Sequence, residues 1–230
     1  MESNNGNGRP YIVCHMMSSV DGRIDCSMTE NLGDTDAYYA ALDELECDAD
    51  LSGRVTMQMH TALPGTFKAT DSTPIGREEW RNAGHGGKYE IAIDTHGTLL
   101  WPDSAAQDNL LVITDEACPR QYHDRLTAQG ISWIACGRRG IDLSRAMQIL
   151  RSEFSVERLA VVGGGHINAA FLTAGLLDEV SLMVGAGIDG RKGMTSVFDG
   201  IEDMDYPTTT LKLVGVKRVG ENTVWIRYKK

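Results

Sequence analysis

The sequence predicts an α/β fold, with a mixed, mostly parallel sheet flanked by helices and a C-terminal antiparallel hairpin. Three observations carry that reading. Between residues 89 and 184, short apolar runs alternate with helix-length amphipathic stretches, the pattern of parallel strands with helices on both faces. One such run, Leu159-Ala160-Val161-Val162, leads directly into Gly163-Gly164-Gly165 and then a helical segment. The C-terminal stretches Leu211–Val219 and Thr223–Tyr228 alternate with period two about Gly220-Glu221-Asn222, which marks a hairpin.

Taken in order, Tyr11–Met17 is short, apolar and bounded by Pro10 and Ser18-Ser19, which predicts a buried strand. A polar loop follows through Gly33. Asp34 is placed to cap a helix that carries Ala37, Tyr38, Ala41, Leu42 and Leu45 at helical spacing. Ala49–Val55 reads as a second strand, running through Gly53-Arg54-Val55-Thr56 into a helix. Residues 61–88, rich in proline and glycine and without periodicity, predict a long surface loop. Strands are then expected at Glu90–Ile93, Asn109–Thr114, Ile131–Ala135, Arg158–Val162 and Asp178–Val184. Helices are expected at Arg120–Ala128, Leu143–Phe154 and His166–Ala174.

Composition narrows the function. The chain has 230 residues, with 22 Lys and Arg against 32 Asp and Glu, a net charge of −10. That balance argues against affinity for nucleic acid or an anionic membrane surface, while leaving room for a local anion site. With 42% hydrophobic and 23% charged residues the chain is of ordinary globular type. One domain over residues 10–230 is expected, after a disordered leader at 1–9. Five scattered cysteines without a Cys-x-x-Cys pair, together with a polar N-terminus, predict a reducing, cytoplasmic setting. No apolar run is long enough to span a membrane, and the six histidines share no metal-ligand spacing.

Three segments could carry chemistry. Gly163-Gly164-Gly165, between a strand and a helix, lets backbone amides approach a phosphate at a helix N-terminus. The spacing is not the dinucleotide fingerprint, because Asn168 stands where its last glycine would, so a tight turn without a ligand is an equal alternative. Ser18-Ser19-Val20-Asp21-Gly22-Arg23 follows the first strand, at the sheet end where ligands bind in open parallel sheets; the alternative is a plain turn. Gly53-Arg54-Val55-Thr56 offers a cation and a hydroxyl near a helix start, or else a surface arginine and a cap. His15 lies in the first strand, where a satisfied core histidine is the commoner outcome.

In combination, Ser19-Val20-Asp21-Gly22-Arg23-Ile24, Gly53-Arg54-Val55-Thr56 and Val162-Gly163-Gly164-Gly165 followed by Gly175-Leu176-Leu177-Asp178-Glu179 resemble the reductase domain of bifunctional riboflavin-biosynthesis proteins, a branch of the dihydrofolate reductase-like superfamily. The likeness spans roughly residues 10–228, in the stand-alone form. It implies a dihydrofolate reductase-like fold, NADPH as hydride donor and a homodimer. It implies further that Gly53, Arg54 and Thr56 line the cofactor groove, and that Gly163, Gly164 and Gly165, with His166 and Ile167, receive the pyrophosphate. Asp94-Thr95 resembles the family's Asp-Ser and would place Thr95 near the 2′-phosphate. Ser18, Ser19 and Asp21 would face nicotinamide and substrate. The implied reaction reduces a ribosylaminopyrimidine to its ribityl form, in the manner of 5-amino-6-(5-phosphoribosylamino)uracil reductases.

Three positions depart from that pattern. His15, His60 and Gly163 stand where these reductases commonly carry a lysine, an acid and a glutamate. Such exchanges alter pocket charge and hydrogen bonding, so another pyrimidine, pterin or small heterocycle is an open alternative, as is a nucleotide-binding module with a lapsed active site. Imidazole titrates near neutrality, so His15 and His60 join Asp21 as candidate catalytic groups; otherwise the two histidines only shape the pocket. The expected partners are thus a small-molecule substrate, NADPH and a second copy of the chain.

Overall fold

The computed structural model describes residues 8–32, 34–84 and 86–230, so most of the expected leader, residues 1–7, lies outside the described residues. The chain is α/β throughout. In order the elements are β1 (Tyr11–Ser18), α1 (Cys26–Thr29), α2 (Thr35–Glu44), β2 (Ala49–Gly53), α3 (Arg54–His60), β3 (Glu79–Arg81), β4 (Tyr89–Ile93), β5 (Leu110–Thr114), α4 (Arg120–Ala128), β6 (Ser132–Ala135), α5 (Leu143–Glu153), β7 (Arg158–Val161), α6 (Gly165–Thr173), β8 (Glu179–Val184), β9 (Lys212–Val219) and β10 (Thr223–Lys229). Two compact units emerge, one built on Asp48–Leu159 and the other on Tyr11–Cys47 with Ala160–Lys230.

In the first unit the strand order is β3-β6-β5-β4-β2. β2, β4, β5 and β6 run parallel, with Gly53 opposite Ile93 and Ile93 opposite Ile113. Leu110–Thr114 is buried at every position, as a central parallel strand covered on both faces requires. Trp101, Tyr122, Val112 and Leu126 form the core between sheet and helices. Asp142 caps α5 by accepting a hydrogen bond from the Arg145 amide at 2.9 Å.

In the second unit the order is β7-β1-β8-β10-β9. β1 pairs parallel with β8, from Val13 opposite Glu179 to Ser18 opposite Val184. β10 lies antiparallel to both β8 and β9, which confirms the C-terminal hairpin. α2 lays Ala41 and Leu42 over Val13, Met17, Met183 and Trp225. The apolar side chains of α2 sit on one stripe, so its spacing foretold that contact.

The differences from expectation are local. Residues 26–32, expected as loop, form α1 and a 3-10 turn, and neither buries a residue, so no apolar period announced them. Glu79–Arg81, inside the expected loop, pairs antiparallel with Trp133–Ala135 and is fastened by Arg120 to Glu79 at 3.0 and 3.1 Å. Three residues are too few to show alternation. β2 ends at Gly53, where α3 starts at once. Asp34 holds the cap position of α2, yet its side chain makes no cap bond. The carboxylate instead accepts from Thr223 Oγ1 and, at 3.4 Å, the Glu221 amide, binding the hairpin turn to the start of α2. A β-carbon on Gly220, whose φ is +57°, would collide with that carboxylate.

Candidate active site

The loop after β1 is built around Asp21. Ser19 Oγ donates to Asp21 Oδ1 at 2.6 Å and accepts the Arg23 amide at 3.0 Å. The Asp189 and Gly190 amides donate to the two Asp21 carboxylate oxygens at 3.0 and 2.9 Å. The Ser19 hydroxyl first, then these amides, hold the Asp21 carboxyl far below the usual carboxylate range, so it is ionised at neutral pH. Arg191 clamps the same region, reaching Asp25 at 2.7 Å and Asp189 at 2.6 Å.

Residues 194–199 tie this loop to the glycine turn. The Ile24 amide donates to Thr195 O, the Val197 amide to Gly22 O and the Asp199 amide to Gly165 O. Asn168, fully buried on α6, donates through Nδ2 to Val197 O at 2.7 Å. Contact here is tight: a β-carbon on Gly165 would lie 2.3 Å from Ser196 O and 2.8 Å from Thr195 Cγ2. Gly163 has φ +118°, the Gly163–Gly164 peptide is cis, and Gly164 is the cap residue of α6. The first amides of α6, at Gly165 and His166, have no acceptor within the helix, whereas the Ile167 amide, expected to meet a phosphate, already donates to Gly164 O at 3.0 Å because the turn closes on it. His166 is exposed, its ring seated against Gly200. A glycine turn of this form suits a dinucleotide pyrophosphate, since backbone amides can approach it without side chains in the way.

His15 occupies the opposite face of β1. It alternates with Met16, whose terminal methyl would lie 3.2 Å from a β-carbon on Gly163, and shares its own face with Val13 and Met17 beneath α2. The ring is fully buried and stacked on Tyr38 at 4.6 Å. Its Nε2 faces Tyr38 O at 3.3 Å and its Nδ1 faces Ser181 Oγ at 2.9 Å, while Trp225 Nε1 donates to Ser181 at 2.7 Å. An indole only donates and a carbonyl only accepts, so this network assigns the proton to Nε2 and leaves Nδ1 to accept from Ser181. These contacts give His15 the surroundings of a packed core residue.

The remaining expected residues lie in the first unit. Gly53, buried, is the cap residue of α3, Arg54 is exposed at its start, Thr56 is half-buried and His60 is exposed at its end. Gly53 pairs with Ile93, so the Gly53–Thr56 turn and the Asp94-Thr95 turn leave neighbouring parallel strands at the same carboxyl end. Thr95 is half-buried and its carbonyl accepts the Asp115 amide. Asp94 is a buried anchor: it accepts from the Thr98 and Leu99 amides at 2.7 and 2.8 Å and from the Tyr122 hydroxyl at 2.9 Å. Burial, and then Asp94, push the Tyr122 phenol well above its ordinary range.

The structure thus joins Ser19 and Asp21 to Gly163–Gly165 within one unit, and Gly53–Thr56 to Thr95 within the other, while His15 faces away from the glycine turn. Sequence reasoning missed Asp189, Gly190, Arg191 and the 194–199 segment. The Asp189-Gly190 pair, in the loop that follows β8, was the available sign. A cavity of about 220 Å³, lined among others by Leu172, Leu177, Phe198, Leu211 and Lys230, shares only Phe198 with the 194–199 segment and no residue with the loop at Asp21 or the glycine turn.

The chain matches the RibD C-terminal domain over residues 10–225. It is 23% identical over 216 residues, 89% of its own length and 90% of the relative's, to a 2,5-diamino-6-ribosylamino-4(3H)-pyrimidinone 5′-phosphate reductase of Methanothermobacter thermautotrophicus. Among solved structures it is similar to a pyrimidine reductase-like protein of Corynebacterium diphtheriae, with TM-score 0.71 at 19% identity, covering 96% of this chain and 91% of that one. It is also similar to the riboflavin biosynthesis reductase Rib7 of yeast, with TM-score 0.62 at 16% identity, covering 96% and 90%. With its fold, its glycine turn and the match along nearly its whole length, this chain is a reductase of the RibD C-terminal domain family.

Proposed function

We propose that this chain is an NADPH-dependent reductase of a phosphorylated ribosylaminopyrimidine in riboflavin biosynthesis. The observation that carries the reading is that the loop holding the Asp21 carboxylate is hydrogen-bonded through Gly22 and Ile24 to Val197 and Thr195, in a segment whose Asp199 amide bonds the Gly165 carbonyl of the glycine turn.

The residues present fit the cofactor. Gly163–Gly165 and His166 would hold the pyrophosphate on backbone amides, which needs no net positive charge and so agrees with a chain of −10. Gly53, Arg54, Thr56 and Thr95 keep the cofactor role that their resemblance implies. NADPH, when bound, supplies the hydride.

This chain's own residues then orient and polarise. Opening the sugar of a ribosylamine gives a C=N bond that accepts hydride most readily as the protonated iminium. Asp21, held as an anion by Ser19 and two backbone amides, stabilises that positive charge before transfer. Because its carboxyl is so acidic, Asp21 does not itself deliver a proton at neutral pH. His15 positions β1 against α2 from within the core. His60 is exposed at the end of α3.

A homodimer in the cytoplasm completes the reading. β9 ends the strand order of its unit and exposes Leu213, Val214 and Val216, beside exposed Val224 of β10, an apolar strip that a second copy would cover. The five cysteines are free and four are buried, which suits a reducing compartment.

The test is turnover. Purified protein supplied with NADPH and the 5′-phosphorylated ribosylaminopyrimidine should consume the reduced nicotinamide absorbance in step with ribityl product. Tight NADPH binding without oxidation across pyrimidine and pterin substrates would instead identify a module without turnover.

A further inference from the structure

Residues 186–193 carry the two amides that hold Asp21, yet they bury no apolar side chain, and Ile188 among them is 77% exposed. Apolar packing therefore does not fix this loop, and polar contacts must. The Gly187 carbonyl accepts the Val20 amide at 2.8 Å, and the Asp189 and Gly190 amides donate to the Asp21 carboxylate. Two consecutive amides reach one carboxylate in a turn where Gly190 has φ +66°, a conformation that glycine adopts freely.

Arg191 ties the loop down from its side chain. Its Nε and Nη2 donate to the two Asp189 carboxylate oxygens at 2.6 and 2.8 Å, and Nη2 also donates to Asp25 at 2.7 Å. A planar guanidinium makes such a fork, and a lysine ammonium does not. Asp25 is anchored in turn by the Ser27 hydroxyl at 2.7 Å. The Arg191 bonds are the largest influence on both carboxyls and hold each below the usual carboxylate range, so both are ionised at neutral pH. An exposed ion pair ordinarily contributes little, but this one is forked, and the Asp189 side chain is 0% exposed. Without Arg191 that carboxylate becomes a covered charge with no counter-ion, and the loop must open to hydrate it. Opening draws the Asp189 and Gly190 amides off Asp21.

Resting on the reductase reading above, we propose that Arg191 is a positioning residue for the reaction, bridging Asp189 to Asp25 so that the Asp189 and Gly190 amides stay on the Asp21 carboxylate. It acts through Asp21 and not on the substrate, because Nε and Nη2 are already committed to the two aspartates. The alternative, a direct contact to an anionic group of the substrate, gives a different kinetic result.

The test is a double-mutant cycle on the full chain. Arg191→Met should lower kcat about 10–100-fold, the scale of a displaced catalytic group, while the substrate KM and the NADP⁺ dissociation constant stay within about twofold. In an Asp21→Asn background the same change should cost about twofold or less, since the group it positions is gone. An equal kcat loss in both backgrounds would show that Arg191 acts independently of Asp21, and a raised substrate KM at unchanged kcat would show a direct substrate contact; either overturns the proposal. Amide hydrogen exchange of the free protein, followed by NMR, reads the contact without substrate. Exchange at Asp189 and Gly190 should rise severalfold in Arg191→Met while the amides of α6 keep their protection, and unchanged exchange overturns the proposal. Asp25→Ala, which removes the anchor but leaves Asp189 its cation, takes the place of Arg191→Met if that variant does not fold. A wild-type protein without turnover whose amides respond as expected brings down the reductase reading and the catalytic consequence with it; unchanged exchange in an active enzyme brings down this proposal alone.

Discussion

Ser19 Oγ lies 2.6 Å from Asp21 Oδ1 and donates to it, making the hydroxyl the largest single influence on that carboxyl group. The bond is short because the acceptor is charged. It keeps the Asp21 carboxyl at the end of β1 ionised further into the acid range than an ordinary aspartate.

Removing that charge should abolish catalysis before it abolishes binding. Asp21→Asn is expected to lower kcat by about 10²–10³-fold, the scale of losing one preorganised electrostatic contact, with little change in the dissociation constant for NADP⁺. Ser19→Ala should act more gently and differently. Without its main donor the Asp21 carboxyl titrates higher, so the acidic limb of the pH–rate profile moves to higher pH. Steady-state kinetics across the acid range check both, and an unmoved limb would detach Ser19 from the chemistry.

His15→Ala should behave as a core deletion. The change removes a ring stacked on Tyr38 and leaves the Ser181 hydroxyl without its acceptor, at a cost of about 2–4 kcal/mol. Thermal melting should fall by several degrees, while kcat measured well below the melting temperature stays within a few fold of wild type. A large kcat loss in a folded variant would restore His15 as a catalytic group.

Gly165→Ala forces a β-carbon to within 2.3 Å of the Ser196 carbonyl oxygen, an atom of the backbone that cannot simply rotate away. The 194–199 segment must shift, and with it the links to Gly22 and Ile24. We expect a stability loss of about 1–3 kcal/mol together with weaker NADP⁺ binding, measured by denaturation and titration on the same preparation.

Acid should destabilise the protein through His123. This ring is buried, within 2.9 Å of Thr114 Oγ1, and burial lowers its pKa from 6.5 to about 4. The unfolded chain therefore binds a proton that the folded chain refuses between those values. Stability contributed by neutral His123 is complete above pH 6.5 and is lost as pH falls through about 4, by at most about 3 kcal/mol. Denaturation midpoints of wild type and His123→Gln should converge as pH falls through that window; parallel curves would exclude the assignment.

Most of the architecture was legible along the chain. Arg120–Ala128 forms the helix its period predicted, and the strands from Tyr89 to Val184 begin and end within a residue or two of expectation. Burial of one face imposes a period, and a period survives in sequence. Elements held by polar contacts left no such trace: α1 buries nothing, and β3 is only three residues long and fastened by Arg120.

By itself the sequence determined the α/β order, the glycine turn, the Ser-x-Asp-Gly loop and the absence of a broadly basic surface. Tertiary structure alone decided what each polar side chain does. Ser18 and Ser19 are chemically identical neighbours, yet the Ser19 hydroxyl is committed to Asp21 and the Ser18 hydroxyl is buried with no hydrogen-bond partner among the described residues. His15 became a candidate catalytic group because it stands where the resembling reductases carry a lysine, and the structure stacks it on Tyr38 and sets its ring nitrogens against Tyr38 and Ser181. The reason is physical: period and composition record where apolar surface must be buried, whereas hydrogen bonds to Asp21 from residues 168 and 169 positions away depend on where distant segments meet.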